Sequence, residues 1–525
     1  MRNFICLLLS LLSFNLLPVI SSASASYGNH QDFVGCLVSN STSMKEVIYT
    51  RSNSSYASVL EFSLHNLRFA TPETPKPLVI VTPMQESQVQ TVVYCSKKHE
   101  LEMRIRGGGH DFEGISYVSQ VPFVLLDMIN LRSVDVDPVA ATAWVQSGAT
   151  MGEVYYAIAQ KSKTLGFPGG TYASVGVTGL IGGGGYGVLR RKYDLAADNV
   201  IDARMVDVNG RIINRGSMGE DLFWAIRGGG PSSFGIILSW KLNLVSVPER
   251  VTIFSVTRTI QQNATDIVWR WQTLAPSLPK DAEIRIQANT VKKDSLADDT
   301  AIVVRILGSY LGGVDKLLSL MQEIFPELNL VHKDCVQVSY IQSVLYFATN
   351  SVEQPLETLL DRTTFKVPCK VKTDYVTRPI SKEGLNGIWE MMLKSDPDTT
   401  SLFLTSYGGK MDEISESAIP FPHRAGTLYM TSIRVLRDTK KALDWIRSFY
   451  SYLTPYVSSP RTAYVNFVDL DLGVNNENGV TNYTEASKWG KMYYKNNFDR
   501  LVHIKSKVDP TNFFGHQQSI PPGSS

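Results

Sequence analysis

Residues 104–117 read RIRGGGHDFEGISY. With Glu102 and Met103 before it, the run EMRIR alternates as a strand does and leads straight into Gly107, Gly108 and Gly109. Glycine lets the backbone approach a ligand closely and reach positive φ. Successive N–H groups in such a turn form a nest that suits a pyrophosphate. Two more clusters follow: residues 182–185, within GGTYASVGVTGLIGGGGYG (169–187), and residues 228–230, closing EDLFWAIRGGG. One cluster would mean little, because turns are rich in glycine. Three within residues 107–230 point to a phosphate-bearing cofactor. Gly182, Gly184 and Gly187 also match the letters GxGxxG. That fingerprint needs a strand, then the glycines, then a helix. The following VLRRKYDLAADN does not make such a unit, so the doubly wound dinucleotide fold is rejected.

Outward from these loops the chain mixes strands and helices. PLVIVTP is a short branched run stopped by proline, hence a strand. SQVQTVVYCSKK predicts a helix with Val89, Val92 and Val93 on its apolar side. ARMVDVNGRIINR predicts a hairpin turning at Asn209-Gly210, and FGIILSWKLNLVSVP a strand ended by Pro248. Residues 77–247 thus form one α+β unit, with 27–76 as its N-terminal segment. From 248 to 460 the glycine clusters vanish. Strands such as TIFSVTRTI and AIVVRILGSYL alternate with helices such as VDKLLSLMQEIF, which predicts an antiparallel sheet covered by helices on one side. Residues 461–525 are too short for a domain and are expected to dock on one of the others.

Composition narrows the function classes. The 525 residues are 43% hydrophobic and 19% charged with a net charge of +2, so neither nucleic acid nor a membrane surface gains electrostatic support as a partner. Residues 1–26 read as a secretory leader: basic start, apolar middle and small-residue cleavage region. Vacuole and apoplast both remain destinations. After the leader, Cys36, Cys95, Cys335 and Cys369 allow three full pairings. Sequons at Asn40, Asn53, Asn263 and Asn482 fit a secreted glycoprotein. No metal-ligand spacing occurs, and a monomer is expected.

His110 follows the first glycine cluster; alone it would read as a polar loop histidine. The segment RxRGGGHDxEGxSY resembles the berberine bridge enzyme-like branch of plant FAD-linked oxidases. The likeness extends through FPGG, GGGYG, YDLAADN, ISESAIPFPHRAG, DLDLG and DPTNFF, and is close among cannabinoid-synthase-like oxidases. It implies a vanillyl-alcohol-oxidase-type FAD domain, a substrate domain over the flavin ring, a tail returning to the FAD domain, a Cys36–Cys95 disulfide, and a covalent bond from His110 to FAD. The cofactor set it implies begins with Arg106, the glycines 107–109, His110, Asp111 and Ser116. Thr171, Gly176, Gly182, Gly183, Gly184, Tyr186 and Gly187 continue it, and Asn199, Gly229, Tyr464 and Asn466 complete it. Leu180 and Tyr407 are expected to face substrate.

The chain departs from those oxidases in ways that bear on chemistry. Where they carry a second flavin-linking cysteine, this sequence has Tyr172. Thr178 stands for a glycine and Leu180 for a histidine, so this wall is bulkier and less basic. Where they carry a tyrosine base, YVNFVDLDLG places Phe467, which cannot take a proton. General-base help is typically worth ~10²–10⁴-fold, so losing tether and base together weakens oxidation twice. These departures resemble the intermolecular Diels–Alderases of mulberry-type plants, which keep FAD without net redox. Arg285 in AEIRIQANT and Arg434 in TSIRVLRD, each on an expected strand, would hold phenolic or enone oxygens of the two polyphenol substrates. Tyr172 and Phe467 would stack on them. The bland reading of each arginine is a solvated strand face. FAD-dependent oxidation of a prenylated phenol or other plant specialised metabolite, with O₂ reduced to H₂O₂, is the alternative.

Overall fold

The run EMRIR forms strand Glu102–Arg106, which pairs in parallel with Phe123–Asp127. That strand pairs in parallel with Val79–Val81, and Ile48–Thr50 closes the edge in antiparallel sense. The computed structural model describes residues 20–292, 300–396, 398–475 and 481–523, with side chains from residue 30 onward. The expected leader, residues 1–26, lies outside the residues whose side chains are described. The helix expected after PLVIVTP spans Glu86–Lys98 and presses Val89, Val92 and Val93, all fully buried, against Val79, Val81 and Val124. Burying a valine stabilises by about 1.5–3 kcal/mol. Cys36 and Cys95 form the disulfide the resemblance implied, tying helix Ile20–Asn40 to this layer.

A five-stranded antiparallel sheet follows, in the order Val134–Asp137, Thr142–Gln146, Ile236–Asn243, Val200–Val206, Ile212–Asn214. Its last two strands are the expected hairpin, but the turn is longer than a two-residue one. The carboxylate of Asp207 accepts from the N–H groups of Asn209 and Arg211, at 2.8 and 2.9 Å, and only Gly210 has positive φ.

The third sheet has seven antiparallel strands ordered Cys335–Ser339, Arg250–Thr259, Thr300–Tyr310, Ala282–Lys292, Thr400–Ser406, Tyr429–Val435, Lys370–Val376. Strand residues alternate between faces. Ile284, Ile286, Leu402, Leu404 and Ile433 bury one face under helices Ala264–Leu274, Val314–Ile324, Lys382–Leu393 and Lys440–Tyr452. The opposite face carries Arg285, Phe403 and Arg434: Thr405 pairs with Arg285 and Ser401 with Arg434 across the intervening strand. The architecture is the α+β class expected.

The tail touches both halves rather than one. Lys505 donates to the Ser233 carbonyl, and Phe498 and Leu501 share a core with Trp224 and Ile226. Asp469 pairs with Lys370 and Lys372 of the seven-stranded sheet, each at 2.6 Å. Among the described residues no helix is long and apolar enough to cross a membrane.

Candidate functional site: a glycine-floored cleft

Where the glycine loops, the tail and the free face of the seven-stranded sheet meet, a cleft encloses about 2060 Å³, open solvent at its mouth included. An ordinary ligand pocket is ~300–1,000 Å³, and the enclosed part of this one, about 360 Å³, lies in that range. Its floor is backbone. Gly108 and Gly176 pass so closely that a Cβ on Gly108 would lie 2.3 Å from the Gly176 nitrogen. Among the described residues, the N–H groups of residues 108–111 donate to no protein acceptor. Four free donors in a row on a cleft wall are what an anionic phosphate chain needs. The floor and the donors fit FAD.

Asp111 braces this loop by accepting from the N–H groups of Glu113 and Ser116, at 2.8 and 3.0 Å; burial pushes its carboxyl up to about 6. His110 lies on the wall with Nε2 2.9 Å from Ser174 Oγ and its ring stacked 3.8 Å from that of His65. Burial, helped by His65, holds its pKa well below the ordinary histidine range, so the ring is neutral. Across the cleft Asn466 Nδ2 donates to the Leu180 carbonyl at 2.7 Å and to the Tyr464 oxygen at 2.9 Å, which also accepts from the Gly185 N–H. Thr171, Gly182, Gly183 and Tyr186 complete this side.

Over the mouth stands Arg434, 6% exposed. Its Nη1 donates to the Tyr172 phenol oxygen at 2.7 Å, and its guanidinium lies 4.7–5.4 Å from the ring centres of Tyr172, Phe403 and Phe467. Its Nε has no partner, and no carboxylate pairs with it among the described residues. The solvated strand-face reading is therefore wrong for Arg434. Phe467 closes the short turn Val465–Phe467 with its ring 5.2 Å from Phe112. Arg285 is half-buried and lies over the Phe347 ring at 4.6 Å, off the cleft wall but on the same sheet face as Arg434.

Several of the expected site residues do not line this cleft. Arg106 is fully buried and spends its guanidinium on Asp127, its partner in strand register, and on the carbonyls of Val59 and Leu60. Asn199 caps its own turn through the carbonyls of Tyr193 and Leu195. Gly187 is a packing glycine, since a Cβ there would lie 1.7 Å from the Gly169 oxygen. Gly184 packs under Phe421 and Gly229 against Ala225, leaving Gly230 on the wall instead. Tyr407 is buried behind the cleft and donates to the Tyr375 hydroxyl. The sequence reading missed His65, Ser174 and Phe365, which surround His110 and Tyr172, and His516 and Gln518 on the tail. Only the last two had a local cue, the polar letters after DPTNFF.

Comparison with known proteins accounts for this cleft. Residues 77–216 match the FAD binding domain family and residues 463–521 the family described as berberine and berberine like. The tetrahydroberberine oxidase of Berberis wilsoniae is 50% identical over 98% of either chain. Among solved structures, BBE-like number 28 from Arabidopsis thaliana superposes with a TM-score of 0.89 at 44% identity, covering 94% of this chain and all of its own. The grass pollen allergen Phl p 4, described as having glucose dehydrogenase activity, gives 0.88 at 41%, with the same coverage. The fold is that of a vanillyl-alcohol-oxidase-type flavoprotein. The chain belongs to the berberine bridge enzyme-like family of FAD-binding oxidases.

Proposed function

We propose that the cleft of this FAD protein binds two planar phenolic molecules and joins them by an intermolecular [4+2] cycloaddition, a prenyl-type diene adding to a chalcone-type enone. The observation that carries this reading is the Arg434 cage. A buried cation without a carboxylate is costly unless a ligand oxygen completes it, and Phe467 stands beside it where a phenol oxidation would need a base. Two σ bonds form at the expense of two π bonds, no atom leaves, and the product mass is the sum of the reactants. Bound FAD supplies a flat aromatic face and, in oxidations, a two-electron acceptor. The residues do the rest. Arg434 donates to the enone oxygen and stabilises charge that builds there in an asynchronous transition state. Tyr172 and Phe467 hold the rings in plane, while Phe403 packs on the Arg434 guanidinium. Holding two molecules in a reactive pose gives effective molarities of roughly 10⁵–10⁸ M, or about 7–11 kcal/mol, so no general acid or base is required. We also propose a covalent bond from FAD to His110.

The relatives favour a second reading. Tetrahydroberberine oxidase and the pollen glucose dehydrogenase are named for oxidations, so FAD-dependent oxidation has more support from them than cycloaddition has; its substrate would be a prenylated phenol or other plant specialised metabolite, with O₂ reduced to H₂O₂. Incubating the purified yellow protein with a chalcone and a prenyl diene separates the two. Cycloaddition gives an adduct of summed mass, no peroxide and no anaerobic bleaching of the flavin. A desaturated product with stoichiometric peroxide and no adduct establishes the oxidase and ends the first reading.

A further inference from the structure

Behind His110, away from the cleft, three side chains form a chain of contacts. Thr364 Oγ1 donates to Ser174 Oγ at 2.8 Å, and Ser174 Oγ lies 2.9 Å from His110 Nε2. Ser174 also reaches the Thr364 carbonyl at 3.4 Å. Ser174 is 2% exposed, whereas Thr364 is exposed. The segment bearing Thr364 belongs to the half of the chain that builds the seven-stranded sheet, and it is clamped onto the flavin half. Arg362 donates to Glu153 and to the Gly148 carbonyl, Lys366 to the Glu61 carbonyl, and Val367 N–H to the His65 carbonyl. His65 covers one face of the His110 ring.

We infer that Ser174, held by Thr364, is a positioning residue that fixes the tautomer of His110, keeping the proton on Nε2 and turning the Nδ1 lone pair toward the flavin. This rests on the proposed covalent link to His110. One arrangement gives each hydroxyl of the chain an acceptor, with the Ser174 carbonyl also beside the imidazole. Nε2–H donates to Ser174 Oγ, Ser174 O–H donates to the Thr364 carbonyl, and Thr364 O–H donates back to Ser174. Among the described residues no other side chain hydrogen-bonds the ring, and His110 lines the cleft. A nitrogen forms a new bond through its lone pair, so this arrangement selects Nδ1 over Nε2.

The same contact serves the attachment step. Attachment through Nδ1 would exchange one C–H bond of the flavin ring methyl for one N–C bond. The Nε2 proton of the alkylated ring then leaves by way of Ser174, because a buried imidazolium is disfavoured. In total the methyl and the imidazole each give up one hydrogen, as two protons and two electrons. Dioxygen would take them and leave as hydrogen peroxide.

The test uses the holoprotein and reads the bond itself. Wild-type protein, Ser174→Ala, Ser174→Thr and Thr364→Val are precipitated in acid, and the flavin is assayed in pellet and supernatant. Pelleted histidyl-flavin is then hydrolysed and its Nδ1 and Nε2 isomers are separated. Wild type is expected to hold its flavin in the pellet as the Nδ1 isomer alone. Ser174→Ala is expected to lose most of the pelleted fraction and to yield both isomers, Thr364→Val to shift the same way less far, and Ser174→Thr to restore wild-type behaviour. Thr364→Val tests the idea even if Ser174→Ala fails to fold, because its side chain is exposed. Full retention of a single isomer in both Ser174→Ala and Thr364→Val overturns the positioning role. Release of all flavin from wild type is a different failure: it removes the His110 link itself, and the inference with it.

Discussion

Arg434 and Tyr172, 262 residues apart in sequence, are joined by a 2.7 Å hydrogen bond from guanidinium to phenol. The bond ties strand Tyr429–Val435 of the seven-stranded sheet to the loop that in relatives with two flavin tethers carries the second one. Arginine stays charged even when buried, and here its charge meets the rings of Tyr172, Phe403 and Phe467 and, among the described residues, no carboxylate. Such a group is poised to receive an electron-rich oxygen.

On the cycloaddition reading, Arg434→Gln is expected to lower the rate of adduct formation by about 10²–10³-fold, the cost of deleting one transition-state donor, with flavin content unchanged. Tyr172→Phe removes only the group that orients the guanidinium, so its loss is smaller. Adduct formation measured by mass spectrometry, against flavin absorbance per protein, separates a lost donor from a lost cofactor.

The disulfide carries part of the stability of the N-terminal layer. It closes a loop of 59 residues, for which chain entropy gives about 4 kcal/mol. The double variant Cys36→Ser with Cys95→Ser is expected to unfold at clearly lower temperature in a calorimetric scan. Cys335→Ser, at a half-buried free thiol, is expected to match wild type.

How far the sequence carried this picture depends on whether a residue's role was local. Strand Glu102–Arg106, helix Glu86–Lys98 and the alternation that puts Ile284 and Ile286 opposite Arg285 were legible, because period and punctuation are local. The cage around Arg434 was not: it needs Phe403 from the neighbouring strand and Phe467 from the tail, which only register and docking bring together. Arg106 reads as a cofactor ligand by its letter in the motif, yet strand register hands it Asp127. Ser174 and Phe365 gave no signal at all. Phe365 sits at φ 63 on an irregular segment whose course is set by clamps such as the Arg362–Glu153 pair.

His65 makes stability depend on pH. Burial, then the charge of Lys366, lowers its pKa to about 4 from an ordinary 6.5. A histidine depressed in the folded state is neutral there while its unfolded counterpart takes a proton. Stability is thus unaffected above about 6.5, falls as pH drops through the window to about 4, and loses nothing more from this group below it. The full effect is on the order of 3 kcal/mol. His65→Gln is expected to reduce proton uptake on unfolding near pH 5 by about one, read from the slope of unfolding free energy against pH. An unchanged slope would mean that His65 is charged in the folded protein.

Phe467→Tyr bears most directly on the choice between cycloaddition and oxidation. The Phe467 ring centre lies 5.4 Å from the Arg434 guanidinium carbon and 5.5 Å from the ring of Tyr464, so a hydroxyl on this ring would enter a region that already holds a cation. There it adds a second phenol beside that of Tyr172 as a proton acceptor, and it competes with the enone oxygen for Arg434. If the wild-type protein is a cycloaddition template, the variant is expected to gain phenol oxidation by about 10²–10⁴-fold, seen as anaerobic flavin bleaching and peroxide in air, and to lose adduct formation. If the wild-type protein is itself an oxidase, its flavin already bleaches with a phenolic substrate through some other base, and the added hydroxyl changes the bleaching rate little. Tyr172 is the group to examine then, because its phenol is the proton-bearing side chain that Arg434 already holds at the mouth.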